Sequence, residues 1–455
     1  MSPFVERSVE AAPERLFDLH CRFPERYPAL LESVARSDTL GRFDLLFAHP
    51  GSAIVKSHDG QVSAGEGPDE SFLTRFDAAF GRERIGPIDS SLPFTGGWLM
   101  LLAYELAGEI EPTLRLPRTR DRTPQAIALR VPAALIFDHG SHRLHLLAER
   151  GYEHLLDAMA ADLATCPPAP AARSVKLLEL HEDPPGDFLA AVLRVKEHIA
   201  AGDVYQVNLS RAWRARVAGA PGADAVADLY RALRQANPAP FAASLRSHGH
   251  TVLSSSPERL FSVRGGEIAT RPIAGTRPRS RVPGADAGEK ESLVRHPKER
   301  AEHVMLIDLE RNDLGRLCRP GTVHVDEFMV LETYEHVHHI VSSVRGSLER
   351  AVTPGRILRA VFPGGTITGC PKVRCMQIIA ALEKEGRGAY TGSLGYLNRD
   401  GSGDFNILIR SLSVVGDAVT LRAGAGIVAD SDPTRELAET RAKARGLLRA
   451  LGGDA

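Results

Sequence analysis

The sequence predicts an α+β protein with a substantial core. Short apolar runs bounded by turn residues, as expected for strands, alternate along the chain with segments whose apolar residues repeat at helical spacing. The chain has 455 residues, of which 43% are hydrophobic, so it can bury a large apolar interior. This length is typical of about three domains or of one large α+β unit.

The first third of the chain is predicted to mix both kinds of element. Strands are expected at residues 43–48, 133–137 and 144–148, and helices at residues 69–80 and 153–163.

A proline-dense stretch between residues 165 and 187 interrupts this pattern. Proline at such density disfavours both helices and central strands. We therefore predict an N-terminal region, residues 1–170, with a structural or regulatory role, and a second domain, residues 187–451, that carries the chemistry.

The second part of the chain shows more regular patterns. A helix is predicted at 187–201, where Gly202 provides a stop signal. A polar, breaker-rich stretch at 278–288 predicts a loop, and Asp432 and Pro433 are expected to start the last helix. The other predicted elements are a strand at 204–213, a helix at 225–235 and strands at 241–245, 252–255 and 268–276.

Two Glu-x-x-Glu pairs suggest a metal site. Glu299 and Glu302 belong to one predicted helix, and Glu436 and Glu439 belong to another. Residues three apart lie on one helix face, so each helix presents two carboxylates side by side. Four carboxylates suit a hard dication, and magnesium is the natural candidate because it takes oxygen ligands. The ordinary alternative is that both faces are simply solvated.

Charge and cysteine content narrow the class of protein. The 56 basic and 57 acidic side chains give a net charge of -1, which excludes a basic field for nucleic acid or an anionic membrane. The five cysteines form no C-x-x-C motif, which argues against a zinc site and a disulfide framework. We expect a cytoplasmic enzyme that acts on a small molecule, since no signal segment or membrane span is recognisable.

Histidines and glycines offer further candidate site residues. On a strand His336 and His338 share one face and His339 takes the other, which is poor geometry for zinc but leaves a histidine for acid, base or hydrogen-bonding work. Glycines at 364, 365 and 369 precede Pro371 at a helix start, where backbone amides can receive an anion. Cys370 and Pro371 separate Gly369 from Lys372, so this is not a P-loop.

From residue 187 to residue 451 the chain resembles the chorismate-utilising enzymes, which include anthranilate synthase component I and aminodeoxychorismate synthase component I. The matching strings occur in family order: R-P-I-A-G-T-R-P-R, E-H-V-M-L-I-D-L-E-R-N-D-L-G-R, H-H-I-V-S, G-G-T-I-T-G-C-P-K-V-R, A-Y-T-G-S-L-G-Y, I-L-I-R and A-G-A-G-I-V-A-D-S-D-P. The resemblance implies a fold of mostly antiparallel sheets that form a sandwich with helices outside.

The resemblance also implies roles for individual residues. Glu302 and Glu439 correspond to direct magnesium ligands, with Glu299 and Glu436 acting through water. Glu258 corresponds to an acid beside the departing hydroxyl, His339 to a histidine beside the ring, and Ala274 to the position of a lysine that is proposed to form an adduct at ring carbon two. The turn at Thr366 corresponds to one that helps to hold the substrate carboxylates. The residues expected to bind the two substrate carboxylates are Tyr390, Arg410, Gly424, Gly426, Lys443 and Gly365.

Within the family, the motifs favour amination of chorismate at carbon four, in 4-aminobenzoate and folate biosynthesis. G-D-V-Y-Q-V-N-L-S, N-P-A-P-F-A-A and F-P-G-G-T-I-T-G resemble aminodeoxychorismate synthase, whereas Ala274 stands where many such synthases have lysine and matches anthranilate synthase instead. Anthranilate synthase, which aminates carbon two and releases pyruvate, is therefore the alternative. Either reaction implies a separate glutamine amidotransferase partner that supplies ammonia.

The sequence also suggests one further ligand and two alternative functions. The segment Leu30 to Ser33 resembles a tryptophan-binding motif and implies a tryptophan-like ligand in the N-terminal region. A metal-dependent hydrolase would also use carboxylates, but its Asp and His ligands usually cluster more closely in sequence. A non-catalytic binding protein of the same fold would not need the pocket residues.

Overall fold

The computed structural model describes residues 2–35, 41–63, 71–219, 222–279, 283–333 and 337–453. The helices are α1 (Glu14–Arg22), α2 (Phe72–Glu83), α3 (Ala107–Ile110), α4 (His154–Thr165), α5 (Pro185–Ala200), α6 (Ala223–Ala236), α7 (Pro283–Arg295), α8 (Pro297–Gly315), α9 (Pro354–Val361), α10 (Lys372–Leu382) and α11 (Pro433–Ala450). Single 3₁₀ turns cover Tyr104–Leu106 and Gly365–Ile367.

The strands are short and numerous. They are β1 (Phe4–Val9), β2 (Ala29–Glu32), β3 (Phe43–Ala48), β4 (Ala53–Lys56), β5 (Gly97–Leu102), β6 (Ala126–Val131), β7 (Ala133–Asp138), β8 (Arg143–Glu149), β9 (Leu177–Glu182), β10 (Gln206–Val217), β11 (Phe241–Ser247), β12 (His250–Ser256), β13 (Arg259–Arg264), β14 (Glu267–Thr270), β15 (Ile273–Pro278), β16 (His324–Thr333), β17 (Val337–Ser347), β18 (Gly369–Cys370), β19 (Ser393–Asn398), β20 (Gly403–Asn406), β21 (Ser411–Val415) and β22 (Ala418–Ile427).

Within the described residues these strands form two antiparallel sheets, one of twelve strands and one of ten. The larger sheet runs in the order β1-β8-β7-β3-β2-β11-β12-β21-β22-β10-β18, with β9 also paired to β10. The smaller sheet runs in the order β15-β17-β14-β13-β20-β19-β5-β6-β4, with β16 also paired to β17. The predicted α+β class with mostly antiparallel sheets is confirmed.

The two sheets pack face to face with helices on their outer sides. Strand β5 shows why, because all six of its residues are buried and successive side chains point to opposite faces. Leu99 and Leu101 join a core cluster that contains residues of both sheets, including Phe47 of β3. Trp98 and Met100 point the other way, into a cluster with helices α2, α8 and α9. The expected sandwich with outer helices is confirmed.

Each of the two sheets contains strands that precede the proline-dense stretch and strands that follow it. Strand β2 pairs with β11 in the larger sheet, with Leu30 opposite Ser244. Strand β5 pairs with β19 in the smaller sheet, with Met100 opposite Gly395. The predicted division at residues 170–187 therefore does not coincide with a division between the sheets. The stretch itself contains β9, whose partner among the described strands is β10.

Most predicted elements are present, and two predictions were wrong. Residues 283–288 were expected to lie in a loop, but helix α7 begins at Pro283; proline is favourable at a helix start, and Ala and Glu follow it. The predicted strand at 268–276 is two strands, β14 and β15, because Pro272 has no N–H for the ladder. His336 lies outside the described residues. Among the helices described, none combines the length and the apolarity that a membrane span needs.

Candidate active site

A buried carboxylate organises one end of the larger sheet. Glu383 follows helix α10 directly, and its side chain is 1% exposed. It accepts hydrogen bonds from Arg387 Nη2 at 2.6 Å, from Arg422 Nη2 at 2.9 Å and from the Ser210 amide at 2.8 Å. Although burial raises the pKa of Glu383, the charges of Arg387 and Arg422 hold it below its ordinary value. Strands β10 and β22 are thereby tied to the loop after α10.

Arg387 extends this network to the neighbouring turns. Its guanidinium donates to the carbonyl oxygen of Ile367 at 3.0 Å and to that of Asn208 at 2.7 Å. Its backbone N–H donates to Glu105 Oε1 at 2.7 Å, and burial raises the pKa of Glu105 to about 7. The 3₁₀ turn that contains Thr366 is therefore fixed against strand β10.

Two glycines of β22 make room for polar side chains. A Cβ atom at Gly424 would lie 2.8 Å from Asn208 Oδ1 and 2.9 Å from the Tyr390 hydroxyl. A Cβ atom at Gly426 would collide with the side-chain nitrogen of Gln206. The bare backbone of β22 thus forms the floor of a cradle whose walls are polar side chains from β10 and from the loop after α10.

Glu258 brings a carboxylic acid to this cradle. It is 5% exposed and follows strand β12. Burial raises its pKa to about 7, against the opposing effects of the Thr366 hydroxyl, the Ile273 amide and the Lys443 charge. Glu258 Oε1 and Thr366 Oγ1 are both buried, and neither has a well-formed hydrogen bond to the described part of the protein.

Cations and a phenol stand beside the acid. Lys443 on α11 donates from Nζ to the Gly424 carbonyl oxygen at 3.0 Å. Arg410 has a φ of 53°, an uncommon conformation for a residue with a side chain. Burial lowers the pKa of Arg410, and nearby Tyr390 and Glu439 oppose that shift. Because burial raises the pKa of Tyr390 to about 12, its hydroxyl stays protonated and can donate a hydrogen bond.

His339 and Ala274 complete the wall on the side of the smaller sheet. Burial, followed by the charge of Arg410, lowers the pKa of His339 to about 4, so its ring is neutral at pH 7. Ala274 is buried and packs with Leu306 and Leu309 of helix α8. Gly365, at the start of the 3₁₀ turn, lies against the same helix, because a Cβ atom there would be 3.2 Å from Leu309.

This geometry joins an acid to cationic and hydrogen-bond-donating groups that suit an anionic substrate, and similarity to known proteins identifies the family. The model that describes a chorismate binding enzyme matches residues 33–449. The chain belongs to this family.

Related proteins of known name support the assignment to the chorismate-binding family. The chain is 39% identical to anthranilate synthase component 1 of Streptomyces coelicolor, over 98% of this chain and 88% of that protein. It is 37% identical to aminodeoxychorismate synthase component 1 of Bacillus subtilis, over 94% of this chain and 92% of that protein. The crystal structure of anthranilate synthase component I from Streptococcus pneumoniae superposes with a TM-score of 0.80 at 30% identity, covering 89% of this chain and 92% of that one. This chain is thus a chorismate-utilising enzyme.

The four glutamates predicted as metal ligands lie on two helices, Glu299 and Glu302 on α8 and Glu436 and Glu439 on α11. A Cβ atom built on Gly275 of β15 would lie 3.0 Å from Glu299 Oε2. Glu439 is close enough to Arg410 for its charge to raise the pKa of that arginine. Glu436, on α11 with Glu439, is buried, and Glu302 on α8 is partly buried. An all-carboxylate donor set suits magnesium in its chemistry.

The expected meeting of these carboxylates around one point is not seen in this structure. Across the described ranges, no three carboxylate, imidazole or thiol groups are arranged to hold a metal ion. Glu299 is paired with Arg277 at 3.2 Å and Glu439 with Lys443 at 2.7 Å. Carboxylates repel one another, so pairing with neighbouring cations is the favourable arrangement for these side chains. Magnesium binding stays a prediction.

Several residues that shape the site were not found from the sequence. They are Glu105, Gln206, Asn208, Glu383, Arg387 and Arg422. Strand β10 held a usable signal, because Gln206, Asn208 and Ser210 alternate with the apolar Val207 and Leu209 over its first five residues. No comparable local pattern marks Glu383 or Arg387, whose importance depends on partners from other strands.

A separate cavity of about 670 Å³ touches none of the predicted site residues. Its lining includes Leu31, Glu32 and Ser33 of the segment that resembles a tryptophan-binding motif, together with Pro240 and Phe241. The cavity is large enough for an amino acid. The tryptophan-like ligand stays a prediction.

We expect Glu383→Gln to lower the free energy of unfolding by about 3–5 kcal/mol, because the change leaves Arg387 and Arg422 buried without their countercharge. Urea denaturation measures the loss. Glu197→Gln is the matched control, since Glu197 pairs with Arg194 on the surface of α5 and both side chains are more than 60% exposed. Its loss should stay below about 1 kcal/mol. Equal losses in the two variants would contradict this view of the network.

Proposed function

We propose that the protein replaces the 4-hydroxyl group of chorismate with ammonia to form 4-amino-4-deoxychorismate, in 4-aminobenzoate and folate biosynthesis. The observation that best supports this proposal is Glu258, a buried carboxyl with a pKa of about 7 beside Thr366. Arg410 and Lys443 belong to the same cradle. The motifs Q-V-N and F-P-G-G-T-I-T-G and the 37% identity to an aminodeoxychorismate synthase component 1 also support this choice.

The proposed chemistry begins with the leaving group. Hydroxide leaves poorly, so Glu258 donates its proton to the departing oxygen while the carbon–oxygen bond breaks and water forms. Ammonia forms the new carbon–nitrogen bond, and one of its protons then returns to the Glu258 carboxylate. Arg410, Lys443 and the Tyr390 hydroxyl bind the two substrate carboxylates. His339 is neutral at working pH and serves as a hydrogen-bonding group beside the ring.

Ala274 decides how the displacement proceeds. Its methyl group packs against leucines of α8, so this position offers no amine to form a covalent adduct with the ring. The amination is proposed to be a direct displacement by ammonia, and a first displacement by water is the alternative route that also needs no lysine. The same alanine is the observation that favours the alternative, anthranilate synthase, as does the 39% identity to an anthranilate synthase component 1.

Ammonia is proposed to come from a glutamine amidotransferase partner. A glutaminase needs a reactive thiolate, but burial raises the pKa of all five cysteine thiols of this chain, and four of the five residues are buried. None of the five is therefore suited to release ammonia from glutamine.

Magnesium is proposed as the cofactor, with Glu302 and Glu439 as direct ligands and Glu299 and Glu436 acting through water. Bound magnesium would neutralise the ring carboxylate and withdraw charge from the ring. The pairs Glu299–Arg277 and Glu439–Lys443 would then exchange partners, which releases Lys443 toward the substrate.

The proposed product is tested by incubating the protein with chorismate, magnesium chloride and ammonium chloride. We expect a non-aromatic amino compound by mass spectrometry, which aminodeoxychorismate lyase converts to 4-aminobenzoate. Direct appearance of fluorescent anthranilate, without added lyase, would overturn the choice of carbon four and establish the alternative.

The acid role of Glu258 predicts a particular pH dependence. Its proton is held up to a pKa of about 7, so turnover at constant free ammonia should fall as the pH rises through 7. We expect Glu258→Gln to lower kcat by about 100-fold or more and to abolish this alkaline limb of the pH profile, that is, the fall in turnover above pH 7. Glu105→Gln is the control, because Glu105 is another buried carboxyl with a pKa of about 7, and the limb should persist in that variant. An unchanged profile in Glu258→Gln would exclude the role.

The metal assignment predicts that Glu302→Gln and Glu439→Gln each abolish chorismate consumption in the presence of ammonia and magnesium. EDTA should also abolish consumption by the natural enzyme, and added magnesium should restore it. Glu291→Gln on the exposed face of α7 should keep full activity, since its side chain is 61% exposed and pairs with Arg295 on the same helix. Wild-type turnover in both site variants would defeat the assignment.

A further inference from the structure

Four buried polar atoms near Thr366 and the glycines of β22 lack a well-formed hydrogen bond to the described part of the protein. They are Gln206 Oε1, Asn208 Oδ1, Glu258 Oε1 and Thr366 Oγ1. Buried polar groups are almost always hydrogen-bonded, so such atoms in one place indicate groups whose partner is a ligand. The proposed mechanism uses Glu258 but leaves the two amides of β10 without a role.

The two amides lie on the same face of one strand. Gln206 and Asn208 are two residues apart on β10, so both side chains leave the same side of the sheet. Each reaches over a glycine of β22, Gln206 over Gly426 and Asn208 over Gly424. A larger residue at either glycine would occupy the space that the amides use.

The orientation of the Asn208 amide follows from its neighbour. Asn208 Nδ2 donates to the carbonyl oxygen of Thr366 at 3.4 Å. The reversed amide would place two oxygen atoms against each other, which is unfavourable. Asn208 Oδ1 therefore faces the cradle, on the side of Gly424 and the Tyr390 hydroxyl.

An acceptor oxygen at this position selects what it can bind. It repels the carboxylates of chorismate, which Arg410, Lys443 and Tyr390 can hold instead. It needs an N–H or O–H donor. Ammonia brings three N–H groups and must direct its one lone pair at the ring, so its N–H groups require acceptors on the protein side.

We propose that the side-chain oxygens of Asn208 and Gln206 bind the incoming ammonia and orient its lone pair toward the ring. This inference rests on the proposed amination, but it holds for attack at either ring carbon. Asn208 is the principal residue, because its orientation is fixed by Thr366. Gln206 provides a second acceptor on the same strand face.

The test measures two Michaelis constants for each variant: KM for ammonium at saturating chorismate and KM for chorismate at saturating ammonium. Asn208→Leu keeps the size of the side chain and removes the acceptor. We expect its KM for ammonium to rise by about five- to tenfold, the value of one hydrogen bond, while its KM for chorismate stays within about twofold.

Asn208→Ser shortens the side chain and gives the same split if Asn208→Leu does not fold, as judged by its melting temperature. A rise in the KM for chorismate alone would assign Asn208 to the ring hydroxyl and overturn the inference, and an unchanged KM for ammonium in all variants would also overturn it. Product identity separates the two proposals, because anthranilate as product defeats amination at carbon four and leaves the ammonia site intact. Consumption of chorismate that does not depend on ammonia would overturn both.

Discussion

The site depends on one buried ion-pair network, that of Glu383 with Arg387 and Arg422. These three side chains are at most 4% exposed, so the desolvation of each charge must be offset by the others. The geometry achieves this, because Glu383 accepts from two guanidinium groups and the Ser210 amide, and Arg387 also donates to two backbone carbonyls and to the Thr391 hydroxyl. A network of this kind allows only one register between β10, β22 and the turn that carries Thr366.

Burial shifts the pKa values of two site residues in opposite directions. Glu258 and His339 are both buried titratable groups, and burial raises the pKa of the carboxyl and lowers that of the imidazole. Near pH 7 the carboxyl can therefore carry a proton while the ring is neutral. Charge in the cradle is left to Arg410 and Lys443, which suits a substrate with two carboxylates.

The sequence allowed the elements to be predicted better than their arrangement. Strand β3 was predicted at its observed bounds, and Asp432 caps α11 as expected by accepting from the Arg435 amide. These features follow from local periodicity and capping, whereas Glu383 meets Arg422 only through the pairing of β10 with β22. Helical spacing alone pointed to the four glutamates, whereas most of the other site residues came from resemblance to a family. The helix at Pro283 was missed because Gly284 and Gly288 are typical helix breakers. Which glutamates face one another depends on side-chain pairing that no spacing encodes.

Strands that precede the proline-dense stretch pair with strands that follow it in both sheets, and this affects recombination between related enzymes. A crossover in the proline-dense stretch would exchange everything after β9 while keeping β2 and β5 from the first parent. In the chimera, the pairs β2–β11 and β5–β19, which lie in the middle of each sheet, would each combine one strand from each parent. Side chains on both faces of β5 would meet unfamiliar neighbours at once. Viable hybrids of such enzymes therefore require parents whose interior residues already match across those two seams.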